Sequence, residues 1–348
     1  MRGPPGGYDV VVVGAGLAGL VCAGRLAHQG IRVLLLDRKA AVGRPVHTTG
    51  IFVRRTLEDF ALPAGCLGPP VRQVRLYSPA GRSLMLESAR DEFRVGRMKE
   101  LYDALLSEAL AAGARWLPGT AYLRARAEGT GSRLHLRRET REFEVSTRFL
   151  VGADGAHSRV ARDLGLGRNR EWIVGVEQVH RGASMAGLPC FHCWIDPRIA
   201  PGYLAWVVQD GEEVHLGVGG YPSRFDPGRA LRLFASRMAT RLGFLAAGPV
   251  ERRGGVIPVN GVLRRLASPR GLLIGDAAGA VSPLTAGGLD PCLRLTAHAV
   301  EVIEAGLGGR PQAVASYDGA AYRRRFALRR AARFLYRGLG SPRLVEAA

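Results

Sequence analysis

The stretch "VVVVGAGLAGLVCAGRL", Val10–Leu26, decides the fold. Its opening apolar run reads as a buried strand over 8–13, and the spacing after Gly16 turns helical over 17–29. Between them Gly14, Gly16 and Gly19 form a Gly-x-Gly-x-x-Gly pattern, with Ala15 and Ala18 in the gaps. Gly14 permits the tight turn, Gly16 lets the backbone approach a pyrophosphate, and Gly19 lets the helix pack closely on the strand. The helix N-terminus then faces the phosphate charge. A second strand, 31–36, ends on Asp37 and Arg38, which puts a carboxylate where ribose hydroxyls bind. Strand, helix and acid agree on a dinucleotide-binding βαβ unit.

The glycine spacing does not separate FAD from NAD, but two later segments do. "FLVGADGAHSRVARDLG" sets Asp154 and Gly155 just past a buried strand. "GLLIGDAAGAVSPLTAGGL" sets Gly275, Asp276 and Ala277 past another, followed by Pro283, Gly287 and Gly288. A short acid at a strand end can bond a sugar-alcohol hydroxyl while the small residues after it let the chain pass close to a ligand. Backbone N–H groups beyond Gly287, at a helix start, can face the negative charge that reduced flavin carries.

Composition bounds the rest. The chain has 348 residues, 47% hydrophobic, which supports a sizeable core. Its net charge is +19, yet Lys39 and Lys99 are the only lysines. Arginine spread along the whole chain reads as a compositional bias, and no nucleic-acid motif accompanies it. Five scattered cysteines suit a reducing cytoplasm. No signal peptide is evident, and no stretch has the roughly 18 apolar residues needed to span a bilayer.

The expected architecture is α/β: a Rossmann-like FAD-binding domain, an inserted antiparallel substrate domain, and C-terminal helices. Residues 1–70, 97–170 and 259–310 would form the first domain, 71–96 and 171–258 the second, and 311–348 a terminal helix. A helix is expected over 97–114, another at about 228–241, and two more over about 287–306 and 312–337. Within 312–337, Phe326, Ala327, Ala331, Phe334 and Leu335 make an apolar stripe among arginines. Such a stripe fits either a core-docked helix or a basic amphipathic surface for peripheral contact with anionic lipid.

These motifs together resemble the flavoprotein hydroxylase superfamily with its para-hydroxybenzoate-hydroxylase-like fold, and within it most closely the geranylgeranyl reductase family. The likeness runs along nearly the whole chain: the glycines at 14–19, "GRPVHTTG", Arg97, "GADGAHSRV", "PGYLAWVV" and "GDAAGAVSPLTAGG". It implies that Asp37 binds the adenosine ribose, Arg97 the pyrophosphate or ribityl region, and Asp276 the ribityl chain. The 283–288 loop would cover the isoalloxazine. Asp154-Gly155 resembles the segment that supports FAD and reduced nicotinamide together. "VGRPVHTTGIF", Val42–Phe52, would run along the flavin with Arg44 and Pro45, placing His47 and Thr48 as the candidate catalytic pair; His47 could relay a proton. Tyr203 and Trp206 would line the substrate cavity. His192, sharing a strand face with Cys190, could join them or serve as a packed or surface histidine.

Two departures from the prenyl reductases stand out. Thr48 sits where they often carry cysteine, and "YLAWVVQ" shifts their Tyr-x-Trp-x-Phe-Pro motif. The Cys190-x-x-Cys193 pair would point to opposite faces of a strand, which favours packing over redox or metal chemistry, and no metal is expected. The expected activity is hydride transfer from flavin to a C=C bond of an apolar, isoprenoid-like substrate. NAD(P)H or another donor would bind transiently, since no second nucleotide motif exists. A flavin monooxygenase acting on an aromatic or polyketide-like molecule, and a non-catalytic FAD-binding protein, stay open at this stage.

Overall fold

The computed structural model describes residues 7–63, 65–181, 189–242, 248–338 and 340–347. The chain divides into two compact units. The first comprises residues up to Arg44, Lys99–Glu171 and Pro258–Ala327; the second comprises Pro45–Met98, Trp172–Ile257 and the segment from Leu328 onward.

In the first unit an eight-stranded sheet grows from Tyr8–Val13. Val33–Leu36 pairs parallel to one side of that strand and Arg141–Gly152 to the other. Arg115–Leu117 extends one edge, and Gly271–Leu273 with Ala267–Ser268 the other. Val33–Leu36 is buried on both faces, as a continuous aliphatic run in a parallel sheet should be. Thr120–Glu128 and Gly131–Arg138 add an antiparallel hairpin to Arg141–Gly152. Arg141–Gly152, the strand that leads to Asp154, is 12 residues long. The helices Leu17–His28, Met98–Ala111 and Leu289–Leu307 match the expected periodicities within a few residues.

The second unit holds a seven-stranded sheet and a three-stranded one. The larger runs in the order Glu251–Pro258, Trp172–Arg181, Glu213–Gly220, Ala205–Gln209, Cys190–Trp194, Gln73–Tyr77, Ser83–Glu87. Among its described pairings one departs from the antiparallel expectation: Cys190–Trp194 lies parallel to Gln73–Tyr77. The helix Pro227–Leu242 belongs to one face, where Trp194, Val207, Leu216, Phe234 and Met238 form a core. Trp206 and Val208 look out of the opposite face and cluster with Val95, Ile51, Phe191 and Tyr203. The segment Pro45–Gly50, expected with the nucleotide domain, falls in this second unit.

The single final helix expected over 312–337 is broken. A 3₁₀ turn, Pro311–Ser316, is followed by Ala320–Arg325 and Ala327–Gly338, with Gly319 at φ +70° between the first two. Of the apolar stripe only Phe326 is buried. Leu328, Phe334 and Leu335 are 85%, 76% and 72% exposed. The helix Ala327–Gly338 docks by its polar side instead: the buried Arg333 lies 4.9 Å from the Tyr221 ring centroid, and its Nε donates to the Tyr221 hydroxyl at 3.1 Å. Tyr336 donates to the Tyr203 carbonyl at 2.5 Å. Cation–π contact on two tyrosines thus replaces apolar docking. That corrects the core-docked reading of the stripe.

Candidate active site

The first unit offers a glycine turn, uncapped helix starts and three strand-end carboxylates, of which Asp276 lacks a side-chain partner among the described residues. Gly14 has φ +106°, and a Cβ there would lie 2.2 Å from the Ala153 carbonyl oxygen. A Cβ on Gly19 would lie 1.8 Å from the Gly14 carbonyl oxygen. Both glycines are therefore required by the strand–turn–helix packing itself. Gly16 differs: among the described residues, its chain neighbours and own helix aside, nothing comes within 4 Å of where its Cβ would sit, so the backbone there is open to close approach. Gly16 also caps the helix Leu17–His28 without a side-chain bond, and the first turn has no acid. Its N-terminal N–H groups remain available to an anion.

Asp37 ends its strand as expected, and its two oxygens accept from the N–H of Ala15 at 2.8 Å and of Lys39 at 2.9 Å. Those bonds fix the carboxylate against the glycine turn, beside Arg38. Arg44 is exposed near the end of this unit's first segment. Asp154 is occupied otherwise. It accepts from the Ser158 hydroxyl at 2.6 Å and from the N–H of Arg159 and Val160 at 2.7 and 3.2 Å. It thus caps the helix Arg159–Asp163, which leaves the open backbone at Gly155, φ +80°, as what this segment presents.

Asp276 has the opposite setting. Its side chain carries no hydrogen bond among the described residues, and burial alone pushes its carboxyl up to about 6. It lies in the turn Gly275–Ala278, whose Ala277 is buried. The turn is fixed from behind by the chain's only two asparagines. Asn169 donates to the Asp276 carbonyl at 2.8 Å and to the Ala156 carbonyl at 3.0 Å, and Asn260 donates to Asn169 Oδ1 at 3.0 Å. Neither asparagine was singled out from sequence. Beyond it, the loop from Pro283 to Gly288 holds Ala286 at φ +51°, left-handed backbone that a non-glycine residue rarely adopts. Gly287 accepts from Ser282, and Gly288 starts Leu289–Leu307 without a side-chain cap.

The second unit carries the remaining candidates. His47 donates from Nδ1 to the Gly254 carbonyl at 2.7 Å, which sets its tautomer when neutral. Thr48 accepts from the Gly50 N–H at 3.2 Å, and Pro45 is exposed two residues before His47. Arg97 pairs with Glu212 at 2.9 Å and donates to the Gly65 carbonyl at 3.3 Å, so its guanidinium is engaged by this unit's own groups. Tyr203 and Trp206 meet edge to face at 6.4 Å. Their rings occupy space that glycines leave: a Cβ on Gly217 would be 2.2 Å from Trp206, and one on Gly219 2.7 Å from Tyr203. The "GVGG" run that lacks nucleotide spacing is an aromatic seat. The Trp206 indole N–H is buried without a partner among the described residues. His192 does not join these rings. It lies on the other face, bonded to the Tyr77 hydroxyl at 2.9 Å and stacked with Tyr77 and Trp194. Strand parity explains this correction, since His192 pairs with Val207 rather than Trp206. Cys190 and Cys193 do face opposite ways, and all five cysteines are free.

The model of the family described as FAD binding domain matches residues 7–212. The chain belongs to that FAD-binding family. It is 34% identical to digeranylgeranylglycerophospholipid reductase 1 of Methanopyrus kandleri over 308 residues, covering 85% of this chain and 81% of the relative. It is 28% identical to the corresponding reductase of Methanothrix thermoacetophila, covering 85% and 77%. A geranylgeranyl bacteriochlorophyll reductase-like protein of Thermoplasma acidophilum shares the fold at TM-score 0.84 and 23% identity, over 97% of this chain and 90% of that one. A p-nitrophenol 4-monooxygenase of Pseudomonas putida shares it at 0.73 and 17%, over 98% and 96%. The protein is an FAD-dependent oxidoreductase, with reduction better supported than hydroxylation.

These groups fit FAD. Two helix starts without side-chain caps, an open Gly16 and a carboxylate lacking a side-chain partner among the described residues suit a pyrophosphate and polyol chain. Bound FAD supplies the redox chemistry, a hydride from its reduced ring. The chain's residues would hold and orient it: Asp37, fixed against the glycine turn, would meet the ribose, Asp276 would accept from a polyol hydroxyl, and the uncapped start of Leu289–Leu307 would turn N–H groups toward negative charge. Among the described residues no helix is long and apolar enough to cross a membrane.

Proposed function

We propose that this protein reduces C=C bonds of an isoprenoid glycerolipid or a similar apolar chain. The observation that carries this reading is the likeness to digeranylgeranylglycerophospholipid reductases along 85% of the chain. The apolar cluster around Tyr203 and Trp206 is in keeping with it, two rings seated on bare strand glycines among Val95, Val208, Ile51 and Phe191. The loop His47–Thr49 serves as the side of the site that meets flavin and substrate. His47 exchanges the proton that accompanies the hydride, and Thr48 contributes through its hydroxyl. NAD(P)H or another reductant acts as a transient donor.

Peripheral contact with an anionic membrane belongs to the same reading. Leu328, Phe334 and Leu335 stand exposed on Ala327–Gly338, flanked by Arg329, Arg330 and Arg337. A lipid substrate would reach the enzyme from such a surface. Co-sedimentation should show binding to vesicles containing phosphatidylglycerol, weakened by Phe334→Glu and Leu335→Glu together.

The deciding experiment incubates FAD-loaded protein anaerobically with an unsaturated digeranylgeranyl glycerolipid and dithionite. Mass gains of 2 Da per double bond are expected. Substrate-stimulated oxygen uptake with a 16 Da gain on an aromatic substrate would instead support hydroxylation. No turnover with either class would leave a binding protein.

A further inference from the structure

Behind the loop His47–Thr49 the second unit buries a chain of charges. Glu177, His215 and Asp210 are 3%, 1% and 3% exposed, on or beside the sheet face that carries Trp206 and Val208. Glu177 on Trp172–Arg181 pairs with Gly217, and His215 on Glu213–Gly220 pairs with Val179, so the two side chains are diagonal neighbours on one face. Glu177 Oε1 lies 3.4 Å from His215 Nδ1 and 3.4 Å from an Arg253 guanidinium nitrogen. His215 Nε2 lies 3.4 Å from Asp210 Oδ2, and Asp210 Oδ1 accepts from the N–H of Glu212 and Glu213 at 2.9 and 2.7 Å. Arg253 also pairs with Glu251 at 2.7 Å.

The chain ends on the loop. Thr49 donates its hydroxyl to Glu177 Oε2 at 2.5 Å, while His47 donates to Gly254, the residue after Arg253. The charge states follow from the geometry. Burial pulls the His215 pKa down, but the bonds to Asp210 and Glu177 outweigh it and push it up to about 9. Burial likewise raises both acids, and His215 more than offsets it, taking Asp210 down to about 2 and Glu177 below its usual range. A buried ion cluster of this kind is expensive compared with apolar residues of equal volume. An apolar set would close this face equally well, but it could not orient a hydroxyl.

We propose that Glu177 is a positioning residue: the fixed Asp210–His215–Glu177 chain commits the Thr49 hydrogen to Glu177, so that the loop presents the Thr49 oxygen as an acceptor. Its partner is an N–H or O–H donor on the bound cofactor or substrate. The inference rests on the reading that this loop meets the ligand. An ionised Glu177 can only accept, so the Thr49 hydroxyl cannot also donate outward.

The test uses the full FAD-loaded chain. Thr49→Val removes the acceptor, Thr49→Ser restores it, and Glu177→Gln supplies an amide donor that turns the Thr49 hydroxyl around. Thr49→Val and Glu177→Gln should each weaken the ligand that carries the donor, seen in FAD Kd or lipid KM, by about three- to tenfold. They should also shift the bound-flavin absorbance or the KM against kcat in the same direction. The double variant should be no worse than either alone, and Thr49→Ser should match the parent. Nitrogen-15 NMR of labelled histidine should show His215 as an imidazolium at pH 7.5. If Thr49→Val binds FAD and lipid as the parent does, with an unchanged spectrum, the proposal is overturned, whatever Glu177→Gln does to stability. Additive Thr49 and Glu177 effects would overturn it too. If the parent fails to reduce the lipid while the two variants still act as one on FAD, the substrate reading fails and the positioning role stands.

Discussion

Asp154 and Asp276 make an instructive pair. Each is a short acid just past the end of a buried parallel strand, each is flanked by glycine and alanine, and each belongs to the first unit. One is fully bonded to its own chain: Ser158 and two backbone N–H groups close around Asp154. The other has no side-chain partner among the described residues, although Asn169 holds its carbonyl from behind. What separates them is the chain that follows. After Asp154 a serine four residues on opens a short helix; after Asp276 the chain makes a 3₁₀ turn and continues into the Pro283–Gly288 loop. A strand-end acid therefore marks a ligand group only where no helix start follows to absorb it.

The contrast can be broken at several points. The largest effect concerns pH. An acid raised to about 6 binds its proton more tightly folded than unfolded, so FAD-free stability falls as pH rises from about 4 to about 6. The loss at Asp276 is at most about 3 kcal/mol, and Asp276→Asn should flatten that part of the urea-unfolding profile. Next, Asp276→Ala should weaken FAD about ten- to a hundredfold by titration, the value of a hydrogen bond to a charged group, without lowering the melting temperature of the FAD-free chain. Asp154→Ala should do the reverse, costing about 1–2 kcal/mol of stability and leaving the FAD Kd of the folded protein unchanged. Ser158→Ala, which removes one capping oxygen, should cost about 0.5–1 kcal/mol. Equal effects of the two aspartate variants on FAD would erase the distinction.

Much of this was legible in the sequence where local rules decide. The glycines at 14, 16 and 19, the strand ends at Asp37 and Asp276, and the helix over 289–307 follow from spacing alone, because strand, turn and helix periods are local. Asp154 was read as a ligand group because sequence shows the acid and not its competitor for bonds. His192 was grouped with Trp206 because its strand partner, which fixes the face, lies far along the chain. The Glu177–His215–Asp210 chain was missed for the same reason, although a glutamate and a histidine inside the apolar runs "WIVGVEQVH" and "EVHLGVGG" were a visible signal. The apolar stripe of the terminal segment was visible, but a stripe does not say which face docks or where the helix breaks. Arg333, stacked on tyrosines, decided that.

The asparagine pair carries a consequence for the lifetime of the site. Asn260 directly precedes Gly261, and its side-chain nitrogen donates to both Asn169 Oδ1 and the Gly261 carbonyl at 3.0 and 2.6 Å. Asparagine is among the thermolabile residues. Hydrolysis of this one amide would replace a donor with a carboxylate facing two acceptors. The asparagine contact would then turn repulsive, and Asn169 would lose the neighbour that holds it against Asp276. Of the chain's two asparagines this is the one followed by glycine, and it lies directly behind the neighbour that holds Asp276.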